Sequence, residues 1–465
     1  MERTLIKDLN NKKTQKVSIS GWIDVRRDQG KMVFFDLRDG FGKVQCVVLP
    51  NHTEAIEQAK EIRPEWVLKI NGIVNTRPEK NVNPNMQNGD IELEVTNIEV
   101  LNKSETPPFE INTDTMPVGE ETRMKYRYLD LRSERMQKNI RMRDKVISFF
   151  RDYMHKNDFV EIETPMLMKG TPEGSREYVV PSRIYPGNFY ALPQSPQQFK
   201  QLSMVAGFER YFQIARCMRD EDTRGDRQPE FTQLDFEMSF VEQEDILKYT
   251  EEMFLELIKT LYPEKEISQT PFPRLTYAES MEKYGSDKPD LRKDKNNPNE
   301  LAFSWVLDFP MFEKTEEGEI QAAHHPFCSI KPEDKDKFMK GEDLFSIRAN
   351  SYDLVLNGFE LSSGSIRIHD RTEQKQVFNL IGISEEEQQR KFGHMLEAFT
   401  YGAPPHGGFA PGIDRIVMLL QNEPNIREVI AFPKTGEGKD LMMGSPSRVS
   451  DKQLKELGIK IVDNE

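Results

Sequence analysis

The sequence is poor in cysteine and tryptophan and has no long apolar run. Its 465 residues include three tryptophans and three cysteines, Cys46, Cys217 and Cys328. The cysteines are far apart, so they form neither a disulfide framework nor the paired spacing of a zinc site. No apolar stretch approaches the roughly 20 residues that span a bilayer, and none follows the N-terminal charges as in a secretory signal. We therefore expect a protein of a reducing, cytoplasmic compartment, without a membrane partner.

Positive charge is also in deficit. The chain has 64 basic and 78 acidic residues, a net charge of −14. Residues 1–50 contain 10 basic and six acidic residues, and residues 1–105 contain 16 of each, so the whole acidic excess lies in residues 106–465. The acidic balance argues against a protein that coats nucleic acid nonspecifically. The uneven distribution predicts two regions with different partners.

Two common nucleotide-binding signatures are missing from the chain. It contains no GxxxxGK[ST] segment, and no GxGxxG segment follows a strand pattern. These absences disfavour the P-loop and dinucleotide-binding folds.

The first hundred residues contain strand patterns. VSISGWIDVRR, KMVFFDLRDGFGKVQCVVL with a turn at Asp39-Gly40, EWVLKINGIVNTR and IELEVTNIEVL are rich in β-formers, and NHTEAIEQAKEI predicts a helix between the third and fourth strands. This order is typical of an OB-type barrel, a fold that often binds single-stranded nucleic acid. Any other small β-barrel remains the alternative.

The remainder predicts a larger second domain. SETPPFEIN (104–112) contains adjacent prolines and suits a linker. We predict an N-terminal barrel over 1–104, a linker or hinge over 105–131 and a second domain over 132–465. In that domain strands and helices alternate without a βαβ rhythm, which predicts an α+β fold built on an antiparallel sheet flanked by helices.

Segment 211–240 predicts a hairpin with one polar and one apolar face. Gln213, Cys217 and Arg219 share one parity on the first strand, and Gln233, Asp235 and Glu237 share one on the second. Such a face suits a polyanion together with an amino group. A solvated face with surface ion pairs is the alternative.

Segment 351–369 predicts a second hairpin, with its turn at Asn357-Gly358. Asp353 then lies on the same face as Glu360, and two carboxylates at that distance repel unless a cation bridges them. Oxygen ligands of this kind suit Mg²⁺ held mainly through a nucleotide's phosphates. Arg367 lies on this face only if a β-bulge intervenes between it and Glu360. We predict that bulge at Gly364. An exposed acidic hairpin is the alternative.

In segment 406–420, small residues lead into a predicted helix that begins near Ile413. Arg415 falls in the first turn, where arginine is disfavoured by the helix dipole. The placement is sensible if the arginine and the helix N–H groups face an anion.

Together these segments resemble a known family. RDEDTRGDRQPEFTQLDFE resembles motif 2 of the class II aminoacyl-tRNA synthetases, GGFAPGIDR resembles motif 3, and FVEIETPML resembles motif 1. ALPQSPQQFKQL, TPEGSREY, HHPF and FELSSGSIRIH are similar to segments of the bacterial-type aspartyl-tRNA synthetases. The N-terminal GWIDVRRDQGKMVFFDLRD resembles their anticodon-binding OB domain. The resemblance runs from about residue 3 to 460.

The resemblance implies ATP-dependent activation of L-aspartate and its transfer to the 3′ end of tRNA(Asp). It makes Arg219 and Arg415 the catalytic residues, and Asp353 and Glu360 the ligands of Mg²⁺. The implied ATP-binding residues are Arg219, Asp220, Glu221, Gln228, Phe231, Glu360, Gly412, Ile413, Asp414 and Arg415.

The same resemblance implies a pocket for aspartate. Its residues are Glu173, Ser195, Gln197, Lys200, Arg219, Asp235, His324, His325 and Arg367. Lys200 and Arg367 would bind the two oxygens of the substrate's side-chain carboxylate. They would reject asparagine because its amide NH₂ would meet no acceptor.

In the barrel, Arg27, Phe34 and Gln45 match positions that contact anticodon bases in this family. An exposed aromatic beside an amide and an arginine is what recognition of an unstacked base requires. The family also implies a homodimer. Whether tRNA(Asn) is a second substrate depends on anticodon contacts and stays open.

A large departure from the family's pattern and two alternatives accompany this resemblance. Bacterial members usually carry a large insertion between motifs 2 and 3, and DLRKDKNNPNELAFSWVLDF joins directly across that place. An asparaginyl-tRNA synthetase is the nearest alternative enzyme, although Lys200 argues against it. A non-catalytic synthetase-like tRNA-binding paralogue is the other alternative.

Overall fold

The computed structural model describes residues 2–170, 175–315 and 317–462. The chain forms two compact units, Met1–Arg135 and Met136–Glu465. The first unit therefore includes the predicted linker 105–131, part of which forms two short helices. That residues 105–131 act as a hinge stays a prediction.

The first unit is built on a closed barrel. Its strands, with the order β1-β2-β3-β5-β4 around the barrel, are β1 (Lys16–Gln29), β2 (Met32–Arg38), β3 (Lys43–Val48), β4 (Val67–Thr76) and β5 (Ile91–Asn102). Its helices are α1 (Thr53–Glu61), α2 (Glu120–Lys125) and α3 (Arg127–Asp130). Helix α1 lies between β3 and β4, as the sequence predicts. The order of strands and the position of this helix confirm the OB fold.

Alternation along the strands explains the barrel. Residues of β4 alternate between buried and half-buried positions, and the inward residues of all five strands form one apolar core. The predicted turn after β2 is present, because the Asp39 carboxylate accepts hydrogen bonds from the backbone N–H groups of Phe41 and Gly42 at 2.8 and 3.0 Å. Each face of the strands therefore has one fixed environment.

The second unit contains a large sheet and the remaining helices. Its strands are β6 (Val160–Glu161), β7 (Val179–Pro181), β8 (Phe189–Ala191), β9 (Arg210–Met218), β10 (Glu230–Ser239), β11 (Glu266–Ile267), β12 (Arg274–Thr276), β13 (Glu300–Leu301), β14 (Phe303–Leu307), β15 (Phe312–Lys314), β16 (Ile320–Ala322), β17 (Ser351–Leu356), β18 (Phe359–Ile366) and β19 (His406–Phe409). The helices after α3 are α4 (Glu134–Lys156), α5 (Gln197–Val205), α6 (Gln243–Leu261), α7 (Tyr277–Tyr284), α8 (Lys335–Lys340), α9 (Arg371–Leu380), α10 (Glu385–Ala398), α11 (Ile413–Leu420) and α12 (Asp451–Leu457).

The main sheet has eight strands in the order β12-β14-β17-β18-β19-β10-β9-β6. Its central pairs are antiparallel, and only the outer pairs β12–β14 and β6–β9 are parallel. Apolar residues of α4, α6 and α11 pack with one face of this sheet in the main core. The opposite face is free to carry polar side chains, and it carries the candidate site. This α+β arrangement confirms the predicted fold class.

Within the described residues, no helix is both long and apolar enough to cross a bilayer.

Candidate active site

The hairpin of β9 and β10 forms one wall of a deep cavity. Gln213 lies opposite Asp235, and Cys217 lies opposite Phe231. Of the alternate side chains, Phe212, Leu234 and Phe236 are fully buried in the core. The predicted parity of this hairpin is therefore confirmed, because its polar face lines a cavity of about 420 Å³ while its apolar face packs under the sheet.

Most of the predicted site residues line this cavity. They are Ser195, Gln197, Lys200, Arg219, Glu221, Gln228, Phe231, Asp235, His324, His325, Glu360, Arg367, Gly412, Asp414 and Arg415. Among the described residues, Asp220 instead lines a second cavity, and Asp353 and Ile413 are buried at 3% and 0% exposure. The Ile413 side chain belongs to the core. Glu173 lies outside the described residues.

Four buried charged side chains lie at the closed end of the cavity. The Lys200 Nζ donates to Asp235 Oδ2 at 2.9 Å and lies 3.6 Å from Glu237 Oε2. Arg367 donates through Nε and Nη2 to the two oxygens of Glu237 at 2.9 and 3.1 Å. None of the four side chains is more than 2% exposed. We call these residues the buried charge cluster.

Burial acts in the same direction on both carboxylates of the buried charge cluster, but their partners leave the two pKa values shifted in opposite directions. Burial raises the pKa of Asp235, and Lys200 offsets that effect only in part. Burial would also raise the pKa of Glu237, but Arg367 and Lys200 outweigh it and hold this pKa below its ordinary value. Arg367 in turn has a raised pKa, because attraction to Glu237 exceeds its own desolvation. Glu237 is therefore the fixed counter-ion of the arginine.

Arg367 also has two neutral acceptors. Its Nη1 donates to Ser365 Oγ at 2.6 Å and to His325 Nε2 at 2.9 Å. Burial, followed by Arg367 and His324, lowers the pKa of His325 well below its ordinary value. The ring is therefore neutral, as a nitrogen that accepts from a guanidinium must be. The four hydrogen bonds within the described residues use four of the five guanidinium N–H groups.

The hairpin of β17 and β18 forms the opposite wall. It turns at Asn357-Gly358, as predicted, with φ values of +53° and +85°. These values suit the two-residue hairpin turn that Asn-Gly favours. Val355 pairs with Glu360, so the predicted register is confirmed and Glu360 shares a face with Asp353.

The bulge in β18 is present, but its predicted position was wrong. The ladder shifts by one residue at Leu361, whereas Gly364 pairs regularly with Tyr352. Gly364 serves close packing instead, because a side chain there would clash with the Tyr352 ring and with the β19 backbone. The shift at Leu361 places Glu360 and Arg367 on one face, as the site requires.

The carboxylates of β17 and β18 differ in their partners. Within the described residues, Asp353 Oδ1 has no hydrogen-bond partner; burial and then Glu360 raise the Asp353 pKa well above its ordinary value. Burial would raise the pKa of Glu360 as well, but Lys288 and Arg415 lower it below its ordinary value. The Lys288 Nζ lies 3.1 Å from Glu360 Oε2. The pair is therefore poised to accept a cation.

Two guanidinium groups lie at the open end of the cavity. The Arg219 Cζ lies 4.9 Å from the centroid of the Phe231 ring. The Arg415 Nη2 lies 3.1 Å from Asp226 Oδ2, and its Nη1 donates to the Glu360 carbonyl oxygen. The two arginines bring positive charge to one region, which suits a polyanion.

Two predicted ATP ligands hold loops in place. Asp414 accepts from Arg143 Nη1 at 2.5 Å and from the Thr232 backbone N–H at 2.9 Å, which anchors α11 to α4 and β10. The Gln228 amide makes two hydrogen bonds to the Lys434 backbone, at 2.8 and 3.0 Å. These contacts explain how the loops are positioned, and contact of either residue with ATP stays a prediction.

Three important partners were not predicted as site residues. They are Glu237, Asp226 and Lys288, which pair with Arg367, Arg415 and Glu360. Glu237 carried a signal, because it shares the polar parity of β10. The other two lie in loops, where periodicity carries no information on direction.

The predicted anticodon contacts share one outer face of the barrel. Phe34 lies opposite Arg27, and Gln45 lies opposite Asp36. Phe34 is half-buried and faces outward, whereas the next residue belongs to the core. Arg27 lies 3.2 Å from Asp36, and Gln45 donates to Glu92 at 3.3 Å. The structure brings the three predicted residues together, with two carboxylates that sequence reasoning missed.

Comparison with known proteins agrees with this geometry. Residues 119–436 match the model of the class II tRNA synthetases (D, K and N), and residues 17–101 match that of the OB-fold nucleic acid binding domain. The aspartate–tRNA(Asp/Asn) ligase of Rubrobacter xylanophilus is 44% identical, covering 96% of this chain and 94% of that protein. The aspartate–tRNA ligase of Oceanobacillus iheyensis is 41% identical, covering 100% of this chain and 99% of that protein. This chain belongs to the class II aspartate–tRNA ligase family.

Solved structures agree on the fold of this family member. The asparaginyl-tRNA synthetase of Entamoeba histolytica in complex with asparaginyl-adenylate superposes with a TM-score of 0.76 at 24% identity, covering 94% of this chain and 98% of that one. At this identity the likeness shows the fold alone.

This ligase-family chain is shorter than its relatives. The alignment with the Oceanobacillus iheyensis ligase spans 592 positions, whereas this chain has 465 residues, so at least 592 minus 465, or 127, positions have no residue here. The difference supports the expectation that a large insertion is missing. The predicted junction corresponds to the loop between α7 and β13.

Proposed function

We propose that this chain is an aspartate–tRNA ligase that converts L-aspartate and ATP into aspartyl-adenylate and pyrophosphate, and then transfers the aspartyl group to the 3′ end of tRNA(Asp). The observation that carries the proposal is the buried charge cluster, in which Lys200 and Arg367 form the closed end of the cavity. Both cations are paired inside the cluster but keep donors: within the described residues Arg367 uses four of its five N–H groups, and the Lys200 ammonium has three. The side-chain carboxylate of a substrate can accept from the donors that remain. The names of the relatives that are 40–44% identical support aspartate as the substrate.

The cluster also accounts for the other end of the amino acid. Asp235 Oδ1 is buried and, within the described residues, has no hydrogen-bond partner. An α-ammonium group would supply the missing donor, with help from Gln197 and Ser195. Aspartate would then be held by a carboxylate at one end and by two cations at the other.

Selection against asparagine follows from donor and acceptor chemistry. Lys200 and Arg367 can only donate hydrogen bonds. The amide NH₂ of asparagine would place a donor against one of them and leave both groups unpaired, which a buried site penalises strongly. This selection favours the aspartate ligase over an asparaginyl-tRNA synthetase.

Adenylate formation at this site needs no protein nucleophile. The α-carboxylate of aspartate attacks the α-phosphorus of ATP, the new C–O–P bond forms, and the bond to pyrophosphate breaks. The chain supplies alignment and positive charge. We assign the α-phosphate to Arg219 and the γ-phosphate to Arg415. Adenine would stack on Phe231, and Asp220, Glu221, Gln228, Gly412, Ile413 and Asp414 complete the proposed nucleotide site.

The residues of β17 and β18 fit Mg²⁺. Asp353 presents a buried oxygen without a hydrogen-bond partner, and Glu360 already attracts cations. Mg²⁺ prefers such oxygens and usually takes its other ligands from water and phosphate. When bound, the metal would neutralise phosphate charge. Asp353 and Glu360 would hold it beside Arg415, whose Nη1 donates to the Glu360 carbonyl oxygen.

The remaining pocket assignments belong to the same proposal. His325, held neutral against Arg367, would line the aspartate site together with His324. Glu173, which the resemblance implies as an aspartate contact, belongs to the same proposed site.

We assign tRNA recognition to the outer face of the barrel, through Arg27, Phe34 and Gln45. Replacing Gln45 with Ala should weaken tRNA charging and leave adenylate formation unchanged, because the two sites are in different units. Equal loss in both steps would contradict an anticodon-binding role. We also propose a homodimer and a cytoplasmic location, the latter consistent with three buried cysteine thiols.

The test is ATP–pyrophosphate exchange followed by charging. Exchange should depend on aspartate and not on asparagine; the reverse would make the chain an asparagine enzyme, and no exchange with either would favour a non-catalytic paralogue. Purified tRNA(Asp) and tRNA(Asn) should then be charged separately. The relatives include ligases named for both tRNAs and ligases with the shorter name, so this experiment decides whether tRNA(Asn) is a second substrate.

A further inference from the structure

A lysine outside the motifs occupies the position of a counter-ion at the proposed metal site. Lys288 follows α7, and its Nζ lies 3.1 Å from Glu360 Oε2. The Lys288 and Glu360 side chains are 35% and 29% exposed. Water can therefore reach both groups, and the ammonium can leave the carboxylate for solvent. The residue belongs to none of the three class II motifs.

The loop that carries Lys288 has a defined conformation. Ser280 Oγ donates to the Ser286 carbonyl oxygen at 2.7 Å, and the Lys288 N–H donates to Ser286 Oγ at 3.0 Å. The loop lies against the turn of the β17–β18 hairpin: a Cβ on Gly358 would lie 3.4 Å from Asp290 Cβ and 3.9 Å from the Lys288 carbonyl oxygen. These contacts fix the backbone of Lys288 at a position from which its side chain reaches Glu360.

The charges around this site leave a defined place for one more cation. Asp353 is 3% exposed, and its Oδ1 has no hydrogen-bond partner within the described residues. Asp287 adds a further negative charge near Asp353, and Arg415 contributes positive charge near Glu360. Lys288 faces the same carboxylate that we assign to Mg²⁺.

We propose that Lys288 is an internal cation that competes with the divalent metal for the Asp353–Glu360 pair. A metal ion bound to Glu360 would be repelled by an ammonium within hydrogen-bonding distance of the same carboxylate. The metal therefore binds only as Lys288 withdraws from Glu360. The inference rests on the proposed assignment of Asp353 and Glu360 as metal ligands.

This competition has a functional consequence. Without nucleotide, Lys288 reduces the repulsion between the carboxylates and lowers the affinity for free metal. With nucleotide, the phosphates would offer the metal further oxygen ligands and would offer the released ammonium a new anion. Lys288 thus favours loading of metal together with nucleotide over loading of metal alone.

The test is titration of the ligand-free, full-length protein with Mn²⁺, which shares the oxygen preference of Mg²⁺ and is followed by its electron paramagnetic resonance signal. The wild type is compared with Lys288→Gln, with Lys283→Gln as an exposed lysine control from α7, with Glu360→Gln and with the double variant. We expect Lys288→Gln to bind Mn²⁺ about three- to fivefold more tightly. Lys283→Gln should match the wild type.

The outcomes separate this proposal from the metal assignment on which it rests. If Glu360→Gln abolishes Mn²⁺ binding while Lys288→Gln binds Mn²⁺ no more tightly than the wild type, competition is wrong and the metal site stands. If Glu360→Gln leaves Mn²⁺ binding unchanged, the metal assignment is wrong and this proposal falls with it. An effect of Lys288→Gln that persists in the Glu360→Gln background would also overturn competition. Thermal melting of each variant provides the folding control.

Discussion

The two ends of the cavity hold charged side chains in different environments. At the closed end, Lys200, Arg367, Asp235 and Glu237 are at most 2% exposed. At the open end, the pair of Arg415 and Asp226 and the carboxylate of Glu360 are 20–33% exposed. The ion pairs of the closed end are shielded from water, whereas the charged groups of the open end can replace their protein partners with water.

The difference in exposure determines how much free energy is lost when an ion pair at either end is broken. Removing one member of a buried ion pair typically costs about 3–5 kcal/mol, because the remaining charge stays buried. Breaking an exposed pair costs roughly 0–1 kcal/mol. The closed end therefore couples ligand selection to stability, and the open end can release its internal partners when a nucleotide arrives.

The largest expected effect comes from Arg367→Leu. It should lower aspartate-dependent pyrophosphate exchange by roughly 10²–10⁴-fold, because a buried charged hydrogen-bonding partner is lost. It should also lower the free energy of unfolding by about 3–5 kcal/mol, because Glu237 would be left without its counter-ion. Exchange assays and chemical denaturation measure the two effects.

The double variant Arg367→Leu with Glu237→Leu is the matched control. It removes both charges, so it should recover much of the stability and none of the activity. Recovery of activity would contradict the assignment of Arg367 to the substrate. Wild-type stability in the single variant would contradict the importance of the buried pair.

The next largest effect is expected from Asp235→Asn. This change keeps the shape and removes the charge that we assign to the α-ammonium group. The KM for aspartate should rise about 10- to 100-fold, the value of one charge-assisted hydrogen bond, with the KM for ATP nearly unchanged. A larger effect on ATP than on aspartate would show that Asp235 acts elsewhere.

A third prediction concerns pH and the neutral histidine at the closed end. The pKa of His325 is well below its ordinary value because of burial and Arg367. The unfolded chain takes up a proton near pH 6.5 while the folded chain does not, so stability falls as the pH is lowered below about 6.5, by up to about 1.4 kcal/mol per pH unit. His325→Gln should reduce this slope between pH 5.5 and 6.5, measured by urea denaturation. An unchanged slope would contradict a neutral His325.

The smallest effect is expected at the open end. Asp226→Asn frees Arg415 from an exposed pair, so the KM for ATP should change by less than about fivefold, the limit for such pairs. The KM for aspartate should not change. A loss as large as that of Asp235→Asn would remove the contrast between the two ends.

Much of this arrangement was predictable from local patterns. The parity of β9 and β10, the Asn357-Gly358 turn and the positions of the barrel strands along the chain follow from periods and turn chemistry that act over a few residues. The bulge was predicted at the glycine, but it lies at Leu361. A glycine marks both bulges and close packing, and the sequence cannot distinguish them without the neighbouring Tyr352.

The ion pairs were less predictable than the faces. Glu237 and Arg367 are 130 residues apart in sequence, and Lys288 reaches Glu360 from a loop. Strand parity defines which side chains share a face, whereas long-range partners depend on sheet order and loop conformation. The partners that decide the charge of each end therefore emerged only from the structure.

The central claim is that the closed end selects a carboxylate over an amide. The most direct measurement is isothermal titration of the wild-type protein with two non-hydrolysable adenylate analogues, one aspartyl and one asparaginyl, that are otherwise identical. We predict that the aspartyl analogue binds at least about a hundredfold more tightly. Equal affinity, or tighter binding of the asparaginyl analogue, would contradict it.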